Sequence, residues 1–232
     1  MKLEEVKTRI LYGESRDNLQ NLDPITRLTM LPKETLENIE FCLNKCIEEN
    51  IPGDFVETGV WRGGACIFAR EILKEKKENR KVYVCDSFEG LPFPDAVNYP
   101  RDAGDAHYSI AELSVGLEKV KENFEIFGSL DENVVFVKGW FKDTMKTIDV
   151  DSISVLRLDG DMYESTIQVL EALYPKLSVG GYCIIDDWEE HFGARYATEN
   201  YRKEHNIEDL IEEFGRSEEC KDCPRSIFWK KS

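Results

Sequence analysis

Five short apolar runs set the layout of this chain: DFVETGV (54–60), KVYVCDSF (81–88), NVVFVKGW (133–140), SISVLRLDGD (152–161) and GGYCIIDD (180–187). Stretches with helical periodicity lie between them, and that alternation constrains the fold more than any other feature. LPKETLENIEFCLNKCIEEN places Leu36, Ile39, Leu43 and Ile47 on one helical face, and IPGD ends it. GGACIFAREILKEKK, IAELSVGLEKVKENFEIFG and ESTIQVLEALYPKL read as further helices, the last stopped near Pro175, and one more is expected around 190–205. Strands that alternate with helices form βαβ units and a largely parallel sheet. Near-continuous apolar strands are what a sheet covered by helices on both faces requires. IEDLIEEF and RSIFWKK, joined by a polar loop over 215–224, are expected to close the sheet as a strand pair.

The chain has 232 residues, enough for one sizeable α/β domain. Its net charge of −16 repels phosphate backbones, and its Lys and Arg are scattered among acids, so nucleic acid is not an expected partner. No run approaches the roughly 18–20 apolar residues of a membrane span. MKLEEVKTRI lacks the apolar centre of a secretory signal, so a cytoplasmic location and no membrane partner are expected. Cys66, Cys85 and Cys183 fall in apolar runs, where buried thiols are common. Cys42 and Cys46, one helical turn apart, together with the CxxC pair Cys220 and Cys223, have the ligand types of a zinc site, but incidental reduced cysteines are the simpler reading. Residues 1–30 and 87–110 show no clear periodicity; the second segment, rich in Pro, Asp and Gly, is long for a βα connection and reads as a lid.

In open parallel sheets ligands bind beyond the carboxyl ends of the strands. The first strand ends in ETGVWRGG, where Gly59, Gly63 and Gly64 permit a tight turn before a helix; Trp61 and Arg62 fill the space that a dinucleotide's pyrophosphate would need bare. The second ends in VCDSF, and an acid there, Asp86, is placed to accept hydrogen bonds from both ribose hydroxyls, or else to serve as a loop acid. The third ends in VKGWF, where Trp140 either flanks an adenine or belongs to the core. This set suits a nucleoside with a neutral or positive tail, such as S-adenosylmethionine, better than one with phosphates. The fourth and fifth strands each stop at two carboxylates, Asp159 and Asp161, then Asp186 and Asp187, which suggests something positive between them. Asp161 is equally suited to cap the helix that follows.

The motifs DFVETGVWRGG, VCDSFEGLPFPD, VKGWFKDT, LRLDGDMYEST, LYPKLSVGGYCIIDDW and the final FWKK resemble the macrocin O-methyltransferase (TylF-type) family over roughly residues 29 to 230. The resemblance implies a Rossmann-like class I methyltransferase fold, α/β, with a seven-stranded, mostly parallel sheet closed by a late reversed strand. It divides the chain into an N-terminal helical cap, residues 1–50, and an S-adenosylmethionine-dependent methyltransferase domain, residues 51–232. It implies that the cofactor is held by Glu57, Thr58, Gly59, Val60, Trp61 and Gly63, by Asp86, Ser87 and Phe88, and by Trp140 and Asp159. It further implies magnesium on Asp159, Asp186 and Asp187, a sugar or glycoside hydroxyl as acceptor, and a homodimer or higher homo-oligomer. DDWEEHFGARYA departs from the family's usual aromatic-glycine sequence, which leaves the acceptor open.

An alcohol has a pKa close to that of water, about 15.7. Ionising it fully at neutral pH costs roughly 12 kcal/mol at about 1.36 kcal/mol per unit, more than one carboxylate base supplies. A divalent cation on the hydroxyl contributes several kcal/mol, and hard oxygen ligands suit magnesium. Asp159 is then the expected ligand and proton acceptor, while His191 stands as a base beside the metal's own ligands or, like His107 and His205, as a surface histidine. Three other readings compete: a catechol acceptor, a haloacid-dehalogenase-like phosphatase with Asp159 as nucleophile, and a non-catalytic binding protein. Tyr163 stands where the phosphatase pattern has Thr or Val, and the motif lies late in the chain.

Overall fold

Successive side chains of a strand face opposite sides of a sheet, and at the centre of this sheet both sides are buried. The structure, a computed structural model, describes residues 2–13, 27–189, 193–214 and 226–232. Seven strands, β1 (Asp54–Thr58), β2 (Val82–Asp86), β3 (Val134–Lys138), β4 (Ile153–Leu158), β5 (Leu177–Ile185), β6 (Glu212–Phe214) and β7 (Ser226–Lys230), form one sheet in the order 3-2-1-4-5-7-6. The first five are parallel, and β7 runs antiparallel to both β5 and β6. The expected mostly parallel sheet with a late reversed strand is present.

Phe55, Val82, Val84, Val155 and Ile184 pack on one side with helices α1 (Leu3–Tyr12), α2 (Lys33–Glu48), α3 (Gly64–Glu75) and α4 (Leu117–Phe127). Their chain neighbours Val56, Tyr83, Cys85, Leu156, Cys183 and Ile185 pack on the other side with α6 (Tyr163–Leu173) and α7 (Gly193–Glu204). A short helix, α5 (Phe141–Thr144), follows β3. No helix among the described residues is long and apolar enough to cross a membrane.

Two elements differ from the sequence expectation. α1 lies where no periodicity was legible, because its buried face is only Val6, Ile10 and the stem of Lys7, whose ammonium reaches Glu4 at 2.7 Å and Glu40 at 3.4 Å. α4 begins at Leu117 rather than near 110; the preceding residues form the short turns His107–Ser109 and Ala111–Leu113. Of the segments before the sheet, α1 and α2 both pack against α3 and share its core.

Candidate active site

β1, β4 and β5 run in register, with Glu57 opposite Arg157 and Arg157 opposite Ile184. Glu57, Arg157 and, one pleat beyond Ile184, Asp186 therefore fall on the α3 side of the sheet. Arg157 is fully buried. Its Nη1 donates to Glu57 Oε1 at 2.5 Å and to Asp159 Oδ2 at 2.9 Å, and its Nη2 donates to Asp186 Oδ2 at 2.5 Å. The Ser226 hydroxyl donates to the other oxygen of Asp186, and the Cys66 thiol of α3 donates to Glu57 Oε2 at 2.7 Å. The positive group between the strand-end acids is thus a guanidinium of the chain itself. Burial works against the Arg157 charge, but Asp159, Glu57 and Asp186 outweigh it and raise its pKa. Burial raises the Glu57 carboxyl despite Arg157 and Cys66.

Asp161 and Asp187 do not join that row. They stand within hydrogen-bond reach of each other, a bond that needs a proton on one of the two, and Asp161 also feels the charge of His107, which pairs with Asp105 at 3.0 Å. Burial pushes Asp159 and Asp187 well above the usual carboxylate range; Arg157 works against it at Asp159, and the charges of Asp186 and Asp161 add to it at both. Asp187 Oδ2 is buried without a hydrogen-bond partner. Among the described residues no group of three or more Asp, Glu, His or Cys is gathered as a metal site.

Above these acids a cavity of about 410 Å³ opens at the carboxyl ends of β1–β4. Of the residues expected to hold a cofactor, Gly59, Trp61, Asp86, Ser87, Trp140 and Asp159 line it, whereas Glu57, Thr58, Val60, Gly63 and Phe88 lie behind or beside it. Gly59 has φ +83°, and a Cβ there would sit 1.7 Å from the Asp159 carbonyl oxygen, so the β1 and β4 ends meet only because this residue has no side chain. Asp86 accepts the N–H of Val60 at 2.8 Å and of Phe88 at 2.7 Å, bracing the glycine turn while facing the cavity. The indole of Trp61 donates to the Glu112 carbonyl at 2.8 Å, tying that turn to the end of the 87–116 connection. Met30, Leu91, Pro92, Phe93 and Leu113 supply an apolar wall.

One expectation needs correction, and two lie outside the described residues. Asp161 does not cap α6: the helix starts after Met162 without a local side-chain cap, and the first N–H groups go to Asp102, from the 87–116 connection. Cys42 and Cys46 are buried, the Cys46 thiol donating to the Ser154 carbonyl at 3.4 Å; their supposed zinc partners Cys220 and Cys223 fall outside the described residues, as does His191. Arg157 escaped the sequence reading although its signal was visible: a lone cation in the apolar run ISVLRL requires buried carboxylate partners. Asp102 had no such signal, since its partner is 61 residues away.

Residues 2–217 match the family described as Macrocin-O-methyltransferase (TylF). Demethyldecarbamoylnovobiocin O-methyltransferase of Streptomyces niveus is 42% identical over 211 residues, 90% of this chain and 78% of that protein. Mycinamicin III 3''-O-methyltransferase of Micromonospora griseorubida is 41% identical over 213 residues, 90% of this chain and 80% of that one. Among solved structures, the O-methyltransferase NovP superposes with a TM-score of 0.88 at 38% identity, covering 99% of this chain and 98% of that chain. The calicheamicin methyltransferase CalS11, at 19% identity and a TM-score of 0.66, shares the fold. With the match spanning the glycine turn, the 87–116 connection and the paired acids alike, the chain is an O-methyltransferase and belongs to the macrocin O-methyltransferase (TylF) family.

Proposed function

We propose that this enzyme moves the methyl group of S-adenosylmethionine to a hydroxyl of a sugar on a glycosylated small molecule, with a hard divalent cation, magnesium, at the strand-end acids. The observation that carries the reading is the juxtaposition, in one cavity, of a nucleoside-sized half and an acid-floored half. The first half is Gly59, Asp86 and Trp140; the second is Asp159 and Asp161 under the apolar wall of Met30 and Phe93. The relatives named above act, by their names, on novobiocin and mycinamicin precursors, which supports a glycoside as acceptor.

The chain's own residues would divide the work as follows. Gly59 lets backbone approach the cofactor's amino-acid end, Asp86 receives the ribose hydroxyls, and Trp140 walls the base. Asp159, with one oxygen tied to Arg157 and 28% of its side chain still exposed, has its other oxygen left to serve as a ligand to the cation and to receive the acceptor's proton beside it. The fit for a cation rests on the crowded acids and on Asp187 Oδ2, a buried oxygen with no hydrogen-bond donor. Asp159 and Asp187 would hold it, with Asp161 and Asp186 adjacent. When bound, such an ion lowers the pKa of a hydroxyl and fixes its position. Met30 and Phe93, from the N-terminal segment and the lid, would exclude water from the acceptor.

The test is methylation of a panel of glycosides, aglycones and catechols with S-adenosylmethionine, with magnesium or excess chelator. Transfer to a sugar hydroxyl, lost in chelator and restored by magnesium, is the expected outcome. Preference for a catechol over every glycoside would overturn the acceptor class, and undiminished turnover in chelator would overturn the role of the ion.

A further inference from the structure

The start of α6 presents a problem that its own sequence does not solve. The first N–H groups of a helix need acceptors, and Ser, Thr, Asp or Asn at the cap position commonly supplies one. Here the cap residue is Met162. The acceptor is Asp102, 3% exposed and set in the single turn Pro100–Asp102 at the middle of the 87–116 connection. Its Oδ1 accepts the Tyr163 N–H at 2.6 Å and its Oδ2 the Glu164 N–H at 2.9 Å. A carboxylate astride a helix N-terminus makes charge-assisted bonds and complements the helix dipole.

The segment immediately before Tyr163 is the Asp159–Met162 turn, which carries two acids of the cavity floor. Asp161 has φ +56° in this turn, and its carbonyl accepts the Ala194 N–H at 3.0 Å from α7. Gly193 closes the junction: a Cβ there would lie 2.1 Å from the Tyr163 nitrogen and 2.5 Å from Asp102 Oδ1. Around it, Tyr99 packs against Tyr163 at 6.2 Å between ring centres, and the Arg101 guanidinium lies 4.0 Å over the Tyr196 ring. Lid, acid turn and α7 thus meet at one point with no room for another atom.

We propose that Asp102 is a positioning residue for methyl transfer. Its carboxylate pins the midpoint of the lid to the turn bearing Asp159 and Asp161, so that the roof and the floor of the acceptor half are set by one contact. The proposal rests on the methyl-transfer reading above. On either side of that point the lid runs in two stretches that meet again where the Phe93 and Tyr108 ring centres lie 4.9 Å apart. One carries Phe93 and Val97, the other Tyr108 and Ile110, all substantially exposed.

The experiment compares wild type, Asp102→Ala and Asp102→Asn by backbone hydrogen exchange, by S-adenosylhomocysteine titration, and by kcat and KM for the acceptor. In Asp102→Ala, exchange should rise in both 87–116 and 159–164, and kcat should fall by about tenfold to a hundredfold, the scale of a small misplacement of reacting groups. Cofactor affinity should change less than kcat. Asp102→Asn keeps one carbonyl acceptor and the same shape, and should fall between the two. Faster exchange confined to Tyr163 and Glu164, or a lowered melting temperature with kcat intact, would overturn the proposal and leave Asp102 a simple helix cap. A wild-type protein that methylates no acceptor would instead count against the methyl-transfer reading, with the exchange data still deciding whether Asp102 couples lid to floor.

Discussion

Replacing Arg157 by methionine removes the cation from beneath three carboxylates while keeping most of the side-chain volume. Arg157 is fully buried and bonds Glu57, Asp159 and Asp186 at 2.5, 2.9 and 2.5 Å. Removing one partner of a buried ion pair typically costs about 3–5 kcal/mol, because the charge left behind loses both water and counter-ion. Proton uptake by the stranded acids limits the loss, so the same range is expected here despite three partners. For a chain of this size about 2–4 °C accompanies each kcal/mol, which gives a fall in melting temperature of roughly 6–20 °C. Arg157→Lys should recover only part of it, since one ammonium cannot occupy the positions of both Nη1 and Nη2. The double variant Arg157→Met with Glu57→Gln should be more stable than Arg157→Met alone, having one fewer charge to strand. The assay is urea and thermal unfolding followed by circular dichroism, with chelator present so that no added cation compensates. A loss below about 1 kcal/mol, the scale of an exposed ion pair, would refute the claim that the guanidinium holds the strand-end acids together.

Gly59→Ala should weaken S-adenosylhomocysteine binding by at least about tenfold, or 1.4 kcal/mol, by calorimetry, because the new Cβ meets the Asp159 carbonyl and forces the β1 and β4 ends apart; unchanged affinity would refute the close-approach argument. Acid should release a separate restraint on the α3 side. Burial tends to raise the Asp131 carboxyl, but Arg70, at 2.8 Å, and the Asn133 N–H outweigh it and hold it below the usual range. A depressed native pKa contributes stability that is full above the unfolded value of about 3.9 and is lost as pH falls through the native one. The stability gap between wild type and Asp131→Asn should therefore be constant near neutrality and shrink below about pH 4, as measured by urea unfolding across that range; a gap that widens in acid would contradict it.

Much of the fold was legible because it depends on local pattern. Apolar runs of strand length alternating with helical periodicity imply a parallel sheet covered on both sides, and the five parallel strands lie where those runs lie. Elements with little apolar pattern were harder to read. α1 buries only Val6, Lys7 and Ile10, and the stretch before α4 has the right residue types for a helix but forms isolated turns. For the cavity, the glycine turn, Asp86 and Trp140 could be placed from strand ends alone, since the carboxyl edge of a parallel sheet is where ligands sit.

The linear order of residues was enough to say that Asp159, Asp161, Asp186 and Asp187 gather at adjacent strand ends and that a positive charge should answer them. Which charge, and which acids, was decided only by the packed sheet. The pleat sets Glu57, Arg157 and Asp186 on the α3 side, while Asp161 and Asp187 pair apart from that row. Likewise, composition marked residues 87–110 as a lid, but not that Asp102 would cap a helix 61 residues onward. The physical reason is the same in both cases. Periodicity is a property of neighbours along the chain, whereas the partner of a buried charge is chosen by whichever group folding brings within hydrogen-bond reach.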